Sequence, residues 1–151
     1  MAVQLNHTIV IARDRDASAA FLAEMLGLPA PVVVGPFAVV QVGETSLDFM
    51  DVRDYLNVRK DGGPVEVASQ HYAFLVTEKE FDDIFERIRG RGLAYWADPS
   101  QQERGQINTW DGGRGIYFED PSGHLLEVLT RPYGSGGTTA SRPHPLATQS
   151  A

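Results

Sequence analysis

The chain has no cysteine. That excludes disulfides, thiolate metal ligands and a protein thiol nucleophile, and it suits a cytoplasmic protein. No apolar run reaches the length of a membrane span, and no basic segment followed by an apolar one opens the chain, so neither a transmembrane helix nor a signal peptide is expected. Excess positive charge is missing too. A formal net charge of −7 argues against a nucleic-acid or anionic-membrane partner. Histidine is scarce, with only His7, His71, His124 and His144. What is present is a 42% hydrophobic complement in 151 residues, enough for one domain or two small modules sharing a core.

The order of signals along the chain is regular. Val3 to Ala12 is rich in β-branched residues and partly alternating, which predicts a strand. Asp14 or Asp16 can cap a helix over Ala17 to Leu26, which Gly27 stops. Val32–Val34, Phe37–Val42 and Thr45–Met50 read as three strands parted by Gly35-Pro36 and Gly43-Glu44. Residues 52–69 are polar and read as a linker. Gln70 to Thr77 is again a strand, followed by a helix whose apolar face is Phe81, Ile84, Phe85 and Ile88 and whose end is marked by Gly90 and Gly92. Leu93–Trp96 is a short strand, and 98–115 a long polar loop or hairpin. Tyr117-Phe118 and Leu125–Leu129 form a hairpin about Asp120-Pro121-Ser122-Gly123. The Gly/Ser/Thr/Pro-rich stretch 132–151 reads as a disordered tail.

This is a repeat. Strand, helix and three strands occur twice, about 3–51 and about 70–131, which predicts an α+β fold of two βαβββ modules. His7 lies in the first strand of one copy and His71 in the first strand of the other, and Leu47-Asp48-Phe49-Met50 corresponds to Leu126-Glu127-Val128-Leu129. Glu127 lies inside Leu-Leu-Glu-Val-Leu, where a charge is costly unless paired, exposed or bound to a metal. In a pseudo-symmetric pair of modules His7, His71 and Glu127 can converge. Two imidazoles and one carboxylate hold a divalent first-row metal while leaving positions for water or substrate.

Leu5-Asn6-His7, His71-Tyr72-Ala73-Phe74 and Tyr117-x-x-Asp120-Pro121-x-Gly123-x-x-x-Glu127 resemble the vicinal oxygen chelate superfamily. That group includes glyoxalase I, extradiol dioxygenases, fosfomycin-resistance transferases and bleomycin-binding proteins. The resemblance spans about residues 3–131. It implies paired βαβββ modules forming a cupped, barrel-like mixed sheet, a metal (Fe, Mn, Ni, Zn or Co) on His7, His71 and Glu127, a small-molecule substrate that chelates it through neighbouring oxygens, and a homodimer. The expected function is a metal-dependent enzyme of lyase, isomerase, transferase or dioxygenase type. The alternative is a binding protein of the bleomycin-resistance type without catalysis, although such members often lack the metal triad.

Each residue also has a plainer reading. The acid can hydrogen-bond a neighbour in a metal-free cup. Asp48 stands where glyoxalase-I-like members supply a fourth ligand, but it is shorter than Glu. Tyr117 is either a donor to a substrate oxyanion or an aromatic core residue. Arg114 can meet an anionic substrate group, or be a solvated loop charge. His124 is expected to face solvent, and His144 is given no role. Extradiol dioxygenases carry a histidine shortly before the tyrosine, and that place falls near Trp110 here, which weighs against ring cleavage. The cation loop of fosfomycin transferases has no serine or lysine counterpart in 108–115.

Overall fold

The computed structural model describes residues 2–59 and 66–148. The chain divides into two compact units. Unit 1 comprises the chain up to Ser69 together with Asp120–His124; unit 2 comprises Gln70–Glu119 and Leu125–Ala151.

In unit 1, β1 (His7–Ala12), α1 (Arg15–Leu26), β2 (Val32–Val34), β3 (Phe37–Val42) and β4 (Thr45–Asp51) follow in order. The sheet runs β1-β4-β3-β2, with β1 parallel to β4 and the rest antiparallel. Asp14 caps α1, its carboxylate accepting from the Ala17 N–H at 2.9 Å, and Gly27 ends it at φ 66°, a conformation that costs glycine nothing. Phe21, Leu22 and Met25 are buried as α1 lies on β3 and β4. They meet the inward side chains Val10, Ala12, Ala38, Val40 and Phe49. Each large apolar group so buried contributes roughly 1.5–3 kcal/mol.

Unit 2 repeats the plan with β5 (His71–Leu75), α3 (Glu78–Gly90), β6 (Tyr95–Trp96), β7 (Gly115–Glu119) and β8 (Leu125–Leu129), in the order β5-β8-β7-β6. Thr77 and Glu80 form a reciprocal capping box at the start of α3. Phe81, Ile84 and Ile88 are buried with Ile116, Phe118, Leu126 and Val128. The two modules expected from the repeat are thus both present, as two separate four-stranded mixed sheets with helices.

Several boundaries differ from expectation. The first strand starts at His7 rather than Val3, and the strand expected over Leu93–Trp96 is only two residues long. The region read as a linker opens with a helix, α2 (Val52–Arg59); it directly continues β4, and Val52 is buried. The Lys60–Pro64 part of that linker lies outside the described residues. His124, expected at the surface, is buried in unit 1, where its Nε2–H donates to the Ile11 carbonyl at 2.6 Å. The turn that carries it is fixed by Asp120, whose Oδ1 accepts from the N–H groups of Ser122 (2.9 Å) and His124 (2.8 Å).

The expected disordered tail is also corrected. Residues 133–144 are held to unit 2 by one buried carboxylate, Asp111. It accepts from the backbone N–H of Gly134 at 2.9 Å, and of Gly136 and His144 at 3.3 Å each, while its own N–H donates to the Arg142 carbonyl at 2.7 Å. Small and polar residues do not prevent order when a buried acceptor collects their backbone donors. Residues 149–151 lie outside the described part.

Candidate metal and substrate site

The sheet of unit 2 has two faces. Leu126 and Val128 of β8 belong to the core with α3, and alternation sends Glu127 to the opposite face. Register then sets its neighbours. Tyr117 of β7 pairs directly with Glu127. On β5 the partner of Glu127 is Ala73, and the partner of Leu125 is His71, so His71 reaches Glu127 diagonally on the same face. Its Nε2 lies 3.1 Å from Glu127 Oε2. Glu127 is only 1% exposed, although it sits on the face away from the helix, because Tyr117, Trp110 and the 133–144 segment surround it.

The hydrogen bonds of His71 determine what this pair can hold. Nδ1 lies 2.9 Å from the Leu125 carbonyl. A carbonyl only accepts, so Nδ1 carries the hydrogen. In the neutral ring Nε2 is then an acceptor too, and it faces a carboxylate oxygen. Two acceptors at that distance need a proton or a cation between them. An imidazole anchored through Nδ1–H to a backbone carbonyl, with Nε2 turned toward a carboxylate, is the arrangement metal-ligating histidines adopt. The donor set therefore fits a divalent cation.

Two tyrosines extend the network. Tyr133, from the segment after β8, donates a short hydrogen bond to Glu127 Oε2. The Tyr117 hydroxyl lies 3.5 Å from that of Tyr133, and its ring stacks on His71 at 5.8 Å. Burial above all, then the bond to Tyr133 and the charge of Glu127, push the Tyr117 hydroxyl well above its ordinary value. Burial, then the Glu127 hydrogen bond, raise Tyr133 to about 12. Both remain neutral donors at physiological pH.

Thus His71, Tyr117 and Glu127, three of the four residues expected at the site, come together in unit 2. The fourth, His7, opens β1 in unit 1, is exposed, and has Nδ1 2.7 Å from Asn6 Oδ1. Asp48 is half-buried and accepts from the Ser46 hydroxyl at 2.7 Å. Among the described residues no group of three His, Asp or Glu side chains is gathered ready to hold a metal. Arg114 does not wait for a substrate. Its guanidinium lies over Phe81 at 4.5 Å and donates to Glu78 at 2.6 Å and Asp82 at 2.7 Å, tying β7 to α3. Gly115 beside it admits no side chain, because a Cβ there would stand 2.8 Å from Asn108.

Tyr133 and His144 were not found from sequence. Nothing in a Gly/Ser/Pro-rich tail marks either. The acceptor that orders the segment, Asp111, is itself buried and in the left-handed region at φ 57°, and nothing in the sequence of the polar loop marks it.

Two βαβββ units, each a four-stranded mixed sheet with its helix, have the fold of the vicinal oxygen chelate class. The chain belongs to the Glyoxalase/Bleomycin resistance protein/Dioxygenase superfamily, whose family model matches residues 4–128. It is similar to the solved structure of Oxidase ChaP-H1, at 61% identity with 88% of this chain and 99% of that chain covered and a TM-score of 0.78. Oxidase ChaP-H2 is 55% identical, with 91% and 100% covered and a TM-score of 0.80. Metallothiol transferase FosB of Shouchella clausii (strain KSM-K16) is 31% identical over 141 residues, covering 91% of this chain and 83% of that protein. Among the described residues no helix is long and apolar enough to cross a membrane.

Proposed function

We propose that the protein is a divalent-metal-dependent oxidase acting on a small molecule that presents two neighbouring oxygens. The His71–Glu127 pair carries this reading, because its hydrogen bonds leave two acceptors facing one another in a site that a cation completes. His7, from this chain or from a second copy, supplies the third ligand. Its support is the register: His7 pairs with Ser46, two residues before Asp48, as His71 pairs with Leu125, two residues before Glu127. The metal would act as a Lewis acid on the chelating oxygens and as the point of reaction with dioxygen. This chain's own residues do the rest. The Leu125 carbonyl fixes the His71 ring, Tyr133 fixes the Glu127 carboxylate with its one hydroxyl hydrogen, and Tyr117 offers a neutral hydroxyl for a developing oxyanion.

The choice of oxidation rests on the two oxidases at 55–61% identity, which outweigh the missing histidine before Tyr117. Thiol transfer to an electrophile is the second reading, favoured by the metallothiol transferase relative. A homodimer is part of the proposal, consistent with the exposed valines of the edge strand β2.

The test begins with elemental analysis of wild type and His71→Ala after metal depletion and reloading with Fe, Mn, Co, Ni or Zn. Wild type should hold close to one metal per site and the variant far less. Loaded protein is then given catechols and hydroquinones in an oxygen electrode, and fosfomycin with glutathione or cysteine in parallel. Equal metal content in wild type and variant sinks the metal site. Thiol adducts without oxygen uptake replace the oxidase with the transferase, and tight binding with neither leaves a binding protein.

A further inference from the structure

His144 is a buried side chain whose hydrogen bonds do not close. It is 5% exposed, wedged edge-on against Trp110 at 5.0 Å and tilted against Tyr133 at 4.1 Å. Its Nδ1 accepts from the Leu146 N–H at 3.1 Å. The neutral ring therefore carries its hydrogen on Nε2. Among the described residues that Nε2 has no hydrogen-bond partner, alone among the buried side-chain nitrogens and oxygens. A buried donor left unmade is costly and calls for a partner that the protein itself does not supply. His144 lines a cavity with Glu127, Tyr133, Trp110 and Asn108, and its volume, about 10 Å³, suits a single oxygen atom such as that of one water. The anchor is specific, since Asp111 holds the His144 N–H itself.

We propose that His144 is a substrate-binding residue, whose Nε2–H donates to an oxygen lodged beside Glu127. In the free protein that oxygen is a water. With substrate bound it is one oxygen of a catecholate-type ligand, whose ring enters from the His71 side, where that side chain is 43% exposed. The segment after β8 thus completes the site with two donors, Tyr133 and His144, that the repeated modules themselves do not provide. The proposal rests on the oxygen-chelating site described above, but not on which metal fills it.

The test uses the cobalt-loaded full chain and 4-nitrocatechol, with binding read by absorbance. Two variants remove the donor by different routes. His144→Phe keeps a ring against Trp110 and Tyr133, and His144→Asn keeps an acceptor for Leu146 but is too short to place a donor at Nε2. His144→Gln restores a donor near Nε2. Cobalt content should be unchanged in all three. Loss of a hydrogen bond to a charged oxygen should weaken 4-nitrocatechol by about 10- to 100-fold in the Phe and Asn variants. The Gln variant should recover most of that loss. In the metal-free protein the Tm of at least one donor-less variant should match wild type, because Nε2 has no protein partner to lose, and binding is judged on that variant. Wild-type affinity in it, or a Tm lowered in both, overturns the proposal. If wild type takes up no cobalt, the metal reading fails separately. His144 is then judged by the same comparison of 4-nitrocatechol binding to metal-free protein.

Discussion

The two units carry the same register and treat it differently. In unit 1 His7 pairs with Ser46 and Asp48 lies two residues on; in unit 2 His71 pairs with Leu125 and Glu127 lies two residues on. Yet Asp48 stays half-exposed and turns to the hydroxyl of Ser46, while Glu127 is buried, reaches the imidazole and accepts from Tyr133. One methylene and one neighbour account for the difference. Glutamate spans the diagonal between parallel strands, whereas aspartate is short and Ser46 offers a closer donor. The histidines differ likewise. His71 is tied to backbone, and His7 to the side chain of the residue before it. A duplicated strand pair therefore yields one unit in which histidine and acid meet and one in which each bonds to a different neighbour.

Removing the two acids is the sharpest way to break this comparison. Loss of an outer partner alone commonly costs about 10–100-fold in metal affinity, so Glu127→Ala, which removes a proposed ligand, should cost on the order of 100-fold or more. Asp48→Ala should change affinity by less than about threefold, as for a residue outside the ligand set of three. Calorimetric titration of metal-free protein with cobalt or manganese reads both. Equal losses would make the two half-sites equivalent and Asp48 a fourth ligand.

The next contrast is the segment after β8. Asp111→Ala removes one buried acceptor shared by three backbone N–H groups and should destabilise the protein by about 2 kcal/mol in urea. It should also open cleavage after Tyr133 to chymotrypsin. An unchanged cleavage pattern would show that the segment is held by its ring contacts instead.

How legible this was in the sequence depends on the kind of signal. The helices announced themselves through periodicity and end signals, as with Asp14 or Asp16 before α1 and Gly27 after it. The strands did so through β-branched runs, and the repeat through the equivalence of His7 with His71. Glu127 was conspicuous because a charge in an apolar run has few tolerable explanations. Its metal role and that of His7 remain proposals. The tail was misread because composition reports what a segment can bury by itself, not what another residue can do for it. Asp111 lies far upstream of Gly134 and His144, and no local pattern links them. Arg114 was misread for a related reason: its acids, Glu78 and Asp82, sit on a helix that sequence reading treated separately.

The two long helices offer a smaller contrast. Asp14 caps α1 through one bond, to Ala17, whereas Thr77 and Glu80 cap α3 reciprocally. Asp14→Ala should cost about 1 kcal/mol in urea unfolding, and Thr77→Ala the same or somewhat more, since it removes half of a capping box. A smaller loss at Thr77 would mean that α3 is held chiefly by its clamp to Arg114.

That clamp has a pH signature of its own. The Glu78 carboxyl is lowered from its ordinary value of 4.5, first by the hydroxyl of Thr130 and then by the hydrogen bond and charge of Arg114, against the opposing effect of burial. A carboxyl lowered in the folded state contributes stability above its unfolded value, and that contribution is lost as pH falls through the lowered value. The stability gap between wild type and Glu78→Gln should therefore be full at pH 6, begin to shrink as pH falls below about 4.5, and close in stronger acid. The Glu78 side chain is 59% exposed, so solvent screening keeps the gap below about 1 kcal/mol, and 0.5 M salt should narrow it further. Urea midpoints of the two proteins across that range measure it. A gap that widened toward acid would mean that Glu78 is held in its protonated form, and that Arg114 is tied to α3 through Asp82 alone.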